Sequence, residues 1–156
     1  MRTCAFMKEG ESMQTQNAEI VFTSHIDDPS DPGNRQTIEQ VIQGKIGKSE
    51  SSLYLVFSAE IADVGLADYT IRVGNEDALI LRKGALPMRQ QLVIGQSIKG
   101  SYESQFGRME TQATAKRIET TCDPAGRCGS VHLVYELLIQ EQSVGKATME
   151  YRYSIK

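Results

Sequence analysis

Apolar and polar residues alternate along almost the whole chain. Ile20, Phe22, Ser24 and Ile26 fall on one face of a first segment, and Ile38, Ile42 and Ile46 on one face of a second, with Gln40 and Gly44 between them. Leu53, Leu55, Phe57, Ala59 and Ile61 then alternate with Ser52, Tyr54, Val56, Ser58 and Glu60. Tyr69, Ile71 and Val73 alternate with Asp68, Thr70 and Arg72, and the same period returns at 98–104, 131–139 and 147–155. Successive side chains of a strand point to opposite faces, so a period of two predicts strands with an apolar inner side and a polar outer side. The best helix candidate, residues 58–68, is interrupted by Gly65 and reads as a strand end followed by a turn.

Turn chemistry punctuates this alternation at short intervals. The breaks fall at 27–34 (DDPSDPGN), 73–77 (VGNED), Gly84, Gly95-Gln96, Gln105-Phe106-Gly107, Asp123-Pro124-Ala125-Gly126 and Glu141-Gln142. About ten strands result. Consecutive strands with short connections pair antiparallel. A single open sheet of that size would leave two long unpaired edges, which closure removes. The expected fold is all-β: an antiparallel up-and-down barrel of about 8–10 strands, with a two-sheet sandwich as the alternative. Residues 1–16 show neither periodicity and read as a flexible N-terminal tail, leaving 17–156 as one barrel domain.

Composition narrows the functional classes. The 156 residues are 40% hydrophobic and 24% charged, ordinary for one soluble domain. Seventeen Lys and Arg against 20 Asp and Glu leave a net charge of −3, which disfavours nucleic acid as a partner because phosphate neutralisation needs surplus positive charge. No apolar run is long enough to cross a membrane as a helix, and the cluster Cys4–Met7 is too short for a secretory signal. The reading is a cytoplasmic protein without a membrane partner; the sequence sets no oligomeric state.

The chemistry-bearing residues are sparse. His25 and His132 are the two histidines, and no Gly-x-Ser-x-Gly elbow accompanies them. Asp27 and Asp28 beside His25 belong to a solvated turn, and Gly44 and Gly47 with Lys45 and Lys48 lack the helix that a phosphate loop feeds. Glu39, Glu60, Glu103, Glu110, Glu136 and Glu150 fall at outward positions. Cys122 and Cys128 bracket the loop CDPAGRC and, with Cys4, read as reduced thiols. A local disulfide, or a zinc site with His132, stands as an alternative, although the spacing lacks the paired short Cys motifs of zinc modules. No catalytic, metal or cofactor constellation emerges, so an enzyme is the least favoured class.

One stretch, ILRKGALPMRQQLVIGQSIKGSYESQFGRME at 80–110, carries a recognisable pattern. It resembles the YwiB-like proteins of Gram-positive bacteria, through Arg82, Gly84, Ala85, Met88, Arg89, Gly95, Tyr102, Phe106 and Gly107. The segments 131–139 and 144–155 resemble that family's closing strands. The likeness covers roughly residues 17–156; the CDPAGRC loop and the longer N-terminal tail depart from it. It implies a calycin-type closed barrel, related in shape to lipocalins and fatty-acid-binding proteins, and attaches no established activity.

Within that stretch, Arg82 to Arg89 supports two readings. In the structural one, Gly84 and Ala85 form a tight corner, Pro87 sits where no ladder bond is needed, Met88 fills core, and Arg82 and Arg89 satisfy rim groups. In the functional one, Arg82 or Arg89 enters the barrel mouth beside the Tyr102 and Tyr135 hydroxyls and orients the carboxylate or phosphate of a small, partly apolar or amphipathic ligand. Parity keeps the two arginines apart, since Arg82 shares a face with Ile80 and Arg89 opposes Met88. The competing class is a protein-interaction module that uses the barrel rim or a strand edge.

Overall fold

The structure, a computed structural model, describes residues 14–28, 35–49 and 51–156. Ten strands follow one another: β1 (Gln14–Asp27), β2 (Arg35–Lys48), β3 (Leu53–Ile61), β4 (Gly65–Val73), β5 (Asp77–Gly84), β6 (Met88–Val93), β7 (Ser97–Ser104), β8 (Gly107–Cys122), β9 (Cys128–Ile139) and β10 (Gln142–Ile155). Each pairs antiparallel with its chain neighbours, and β1 pairs with β10, closing the ring. The sandwich alternative is therefore not realised, and the barrel has no edge strand among the described residues. No described residue is helical; 58–68 is the β3–β4 hairpin, turning at Ala62–Val64. β1 begins at Gln14, inside the stretch read as tail, because Gln14–Asn17 pair with Lys48–Lys45 on β2. The rest of that tail, and most of the 27–34 turn, lie outside the described residues.

The register puts one parity of every strand inside. Opposed inward pairs run Ile20–Ile42, Leu55–Ile71, Ile71–Ile80 and Leu133–Met149 around the ring. Close approach matters at Gly44: a Cβ there would lie 2.6 Å from the Val56 carbonyl oxygen and 2.9 Å from the Phe57 Cβ, so β2 can bend onto β3 only without a side chain. Two bulges, at Ala115/Arg117 in β8 and Ser143/Gly145 in β10, shift the inward phase and tighten the local twist.

The wall is thinnest between β6 and β7. Only Met88–Tyr102 and Arg89–Ser101 are in register there. Beyond them Gln90 replaces the ladder with its own amide. Its Nε2 donates to the Gln91 and Ile98 carbonyls at 2.7 and 3.0 Å, while Thr111 Oγ1 donates to its Oε1 at 2.6 Å. Gln90 is fully buried, and Gly100 leaves it room.

The two ends of the barrel differ. Toward the β2–β3, β4–β5, β6–β7 and β8–β9 turns, Ile20, Leu53, Leu55, Ile71, Leu92 and Leu133 are each 0% exposed, leaving no water-sized void against them. Toward the β3–β4, β5–β6, β7–β8 and β9–β10 turns, inward Phe22, Ile26, Ala59, Tyr69, Leu137 and Met149 are only partly buried. One end is a packed core. At the other end these side chains keep part of their surface accessible and form a cup-like mouth above the core, with Phe57, Ile80, Tyr135 and Tyr151 buried beneath them.

Candidate functional site

The cup is built around Arg82. β5 carries Ile80 and Arg82 on its inward face, with Tyr69 of β4 opposite Arg82 on one side and Met88 of β6 on the other. Tyr102 of β7 stands opposite Met88. The Arg82 guanidinium carbon lies 5.8 Å from the Tyr69 ring centre and 5.7 Å from that of Tyr102, within cation–π range of both. Its Nε–H donates to the Leu86 carbonyl at 2.6 Å. Leu86 holds a positive φ of 49°, an uncommon conformation for a bulky residue, and this hydrogen bond ties the β5–β6 turn to the side chain beneath it.

Aromatic rings complete the surround. Phe57 stacks on Tyr69 with centroids 4.8 Å apart, Phe22 meets Tyr151 at 4.9 Å, and Phe57 meets Tyr151 at 6.2 Å. Burial pushes the Tyr135 phenol up to about 12, with the Arg82 charge pulling the other way. The Tyr151 phenol is raised for the same first reason, and the same Arg82 charge opposes it. Both hydroxyls therefore keep their protons at neutral pH.

Two kinds of donor, a guanidinium and two phenol hydroxyls, lie at this end. Among the described residues the Nη atoms of Arg82 meet no carboxylate and make no hydrogen bond, and neither do the hydroxyls of Tyr135 and Tyr151. No buried side-chain nitrogen or oxygen of a described residue lacks both a partner and solvent contact, so these groups keep a trace of solvent contact although Tyr135 and Tyr151 are buried as residues. Among the described residues Arg82 is the one charged residue at an inward strand position in this half; Lys48, inward at the far end, reaches the Gly126 carbonyl.

Of the residues singled out in the sequence, Arg82, Met88, Tyr102 and Tyr135 share this interior. Arg89 does not join them. It pairs with Leu81 and Ser101 on the outward face and is exposed. Periodicity assigned Tyr69, Phe57, Phe22 and Tyr151 to core packing, without linking them to Arg82; their parity was legible, their grouping across strands was not.

Other candidate chemistry disperses. Both described thiols are free: Cys122 is half-buried opposite Gly129, whereas Cys128 is exposed and turned toward Ser154 Oγ at 3.7 Å. The local disulfide is not formed. His132 faces outward, 3.7 Å from Glu150, and no group of three metal-ligating side chains converges among the described residues. A groove of about 740 Å³ on the outer wall, lined by Val21, Pro124, Cys128, Arg152 and Ser154 among others, lies at the packed end. Its cation is engaged, with Arg152 Nε 3.4 Å from Glu150. At Arg82, by contrast, the Nη groups have no carboxylate partner among the described residues.

Comparison with known proteins agrees with the architecture. Residues 20–150 match the family model described as "Domain of unknown function (DUF1934)". The "Uncharacterized beta-barrel protein YwiB" of Bacillus subtilis (strain 168) is 26% identical over 123 residues, covering 79% of this chain and 84% of that protein. The crystal structure of the B. subtilis ywiB protein superposes with a TM-score of 0.77 at 25% identity, covering 92% of this chain and 95% of that one. A ten-strand closed barrel, a family model spanning most of its length and a relative of the same shape together establish that this chain belongs to the DUF1934 family of YwiB-like β-barrel proteins.

Proposed function

We propose that this protein is a non-catalytic, calycin-like binding barrel that holds a small, partly apolar anion in its cup, with the anionic group on Arg82. The observation that carries this is the inward guanidinium whose Nη groups have no carboxylate partner among the described residues. A charge held among aromatic rings normally finds a counterion, and here the open cup is where one would come from. Outward positions such as Lys45, Glu60, Asp68, Lys83, Lys99 and Glu110 are exposed and charged, which favours a barrel surrounded by water, in keeping with a cytoplasmic setting, over one with an apolar outer band. The test is native mass spectrometry on protein purified gently from its own host. The wild type retains an added anion that Arg82→Met loses; the same adduct on both, or none on the wild type, with both folded by circular dichroism, refutes the reading.

A second reading rests on the rim. Ile38, Val64, Leu66 and Phe106 are exposed, Phe106 by 86%, and all lie at the cup end. With the ring closed, a protein partner would dock on these residues rather than on an edge strand. A co-purifying protein released by the pair Leu66→Ser and Phe106→Ser, but retained by Arg82→Met, favours this reading.

A further inference from the structure

We infer that the barrel wall parts between the cup-end halves of β2 and β3, and that the gap takes an extended polypeptide segment of alternating apolar and basic residues, which pairs with β2 as an added strand. Docking there is separate from any anion on Arg82. It rests on the rim reading above, to which it adds a partner of stated chemistry and a mode of binding.

β2 keeps β1 as its neighbour along all 14 of its residues, but it meets β3 only from Gly44 to Lys48. Continued in the same register, Ser58–Ile61 would face Gln43–Gln40. Instead the two strands separate beyond Gly44, where β2 bends. A depression of about 490 Å³ lies in the gap, lined by Gln40 on one margin and by Glu60, Ile61, Asp63 and Val64 on the other. The short ladder between β6 and β7 is made good by the Gln90 amide, whereas no hydrogen bond from a described side chain does the same here.

The backbone sets the class of partner. An antiparallel strand turns alternate residues toward each neighbour, so with β1 on one side every second residue of Ile38–Gln43 directs its N–H and C=O into the gap. At about 3.4 Å per residue this margin runs on the order of 20 Å. Another extended backbone matches such a row group by group. Side chains set the partner's sequence. Inward Ile38 is 55% exposed and outward Val41 62%, and Val64 and Leu66 of the β3–β4 hairpin are exposed too, so apolar residues on the added strand gain cover here. The charges are of one sign: Glu39, Glu60 and Asp63 are exposed and form no ion pair with a described residue. A basic residue opposite Glu39 is therefore favoured. A second copy of this chain would instead bring the same carboxylates against these, which disfavours self-pairing.

The experiment is a nuclear magnetic resonance titration of the full chain, at low salt, with the peptide acetyl-Lys-Val-Thr-Val-Lys-Val-Lys-amide. One control peptide carries proline in place of the central valine, and another carries glutamate in place of every lysine. The expected result is saturable shifts at the amides of Ile38–Gln43 and Ser58–Ile61, with alternate amides of that β2 stretch exchanging about tenfold more slowly in the complex. Both controls bind about tenfold more weakly, the first because it lacks a ladder donor and the second because its charges repel. The double variant Glu39→Lys with Glu60→Lys, shown to be folded by its dispersed spectrum, reverses the preference between lysine and glutamate peptides. Proline-peptide binding as tight as that of the parent overturns strand pairing; if that binding is lost in the pair Leu66→Ser and Phe106→Ser, the rim reading stands without it. An unchanged charge preference in the double variant overturns the basic partner. No saturable shift at millimolar peptide overturns the inference outright. Slowed β2 exchange that instead follows protein concentration without peptide, with a dimer mass in sedimentation, puts a second copy in the gap and overturns it as well.

Discussion

Gln90 occupies an inward position among Ile80 of β5, Leu92 of its own strand and Ala113 of β8, and it is as buried as they are. Its amide serves two carbonyls and one hydroxyl at once. Replacing it with leucine keeps the volume and strands all three partners, so Gln90→Leu is expected to cost about 1–3 kcal/mol per strictly buried orphan, partly relieved by water. A urea unfolding midpoint reads this. Adding Thr111→Val to that background costs less than Thr111→Val alone, because the hydroxyl has already lost its acceptor. None of this was legible in the chain: a glutamine in a strand reads as outward, and the partners that make its burial tolerable come from β7 and β8. Arg82 shows the opposite case. Its parity with Ile80 placed it inward from sequence alone, and its bond to the Leu86 carbonyl matches the structural reading, in which this side chain satisfies a carbonyl at the rim. For Arg89 the place in the barrel mouth does not survive, because its side chain is outward and exposed.

At the scale of elements, turn chemistry was the reliable guide. The β4–β5, β6–β7, β7–β8 and β8–β9 connections fall where glycine, asparagine and proline marked them, and the β9–β10 connection falls at the polar break Glu141-Gln142. The bulges escaped notice because they break the period itself: β8 passes from inward Ala113 and Ala115 to inward Ile118 and Thr120, which simple alternation cannot follow. The β8–β9 hairpin is held at its tip by Asp123, whose Oδ1 accepts from the amides of Arg127 at 2.8 Å and Cys128 at 3.1 Å. The Cys128 amide is the largest influence keeping this carboxyl below its usual range. Its folded value is depressed, so its contribution is present above the ordinary carboxylate value and is lost as pH falls through the lowered one. Acidification is therefore expected to speed amide exchange at Arg127 and Cys128 before the rest of β9, and Asp123→Asn should remove that pH dependence.

For the whole molecule, the meander and its closure followed from short loops and two-residue alternation. The difference between the fully packed end and the more accessible cup end did not. Alternation marks the inward face equally at both ends, and only the sizes of residues meeting across the ring decide where packing stops. The cup's buried phenols give this division a thermodynamic signature. Tyr135 sits at about 12 against an ordinary value near 10. Because the folded value is raised, stability is intact below the unfolded value and declines as pH climbs from about 10 through about 12. Denaturant midpoints should fall across that window, and Tyr135→Phe should flatten the fall; an unchanged slope would place the phenol in water.

The seam between β1 and β10 gives the barrel a particular way to fail. Every other pairing joins strands consecutive in the chain, so the ladder can assemble hairpin by hairpin, while this one must gather the two extremes of the ring and carries most of the loop-closure entropy. A molecule that has zipped everything except this seam is an open, curved sheet with two long edges of complementary register. Two such molecules can satisfy one another as well as each satisfies itself, so slow or concentrated refolding favours reciprocal exchange of a terminal strand, and the route from monomer to intertwined dimer runs through this single line of hydrogen bonds.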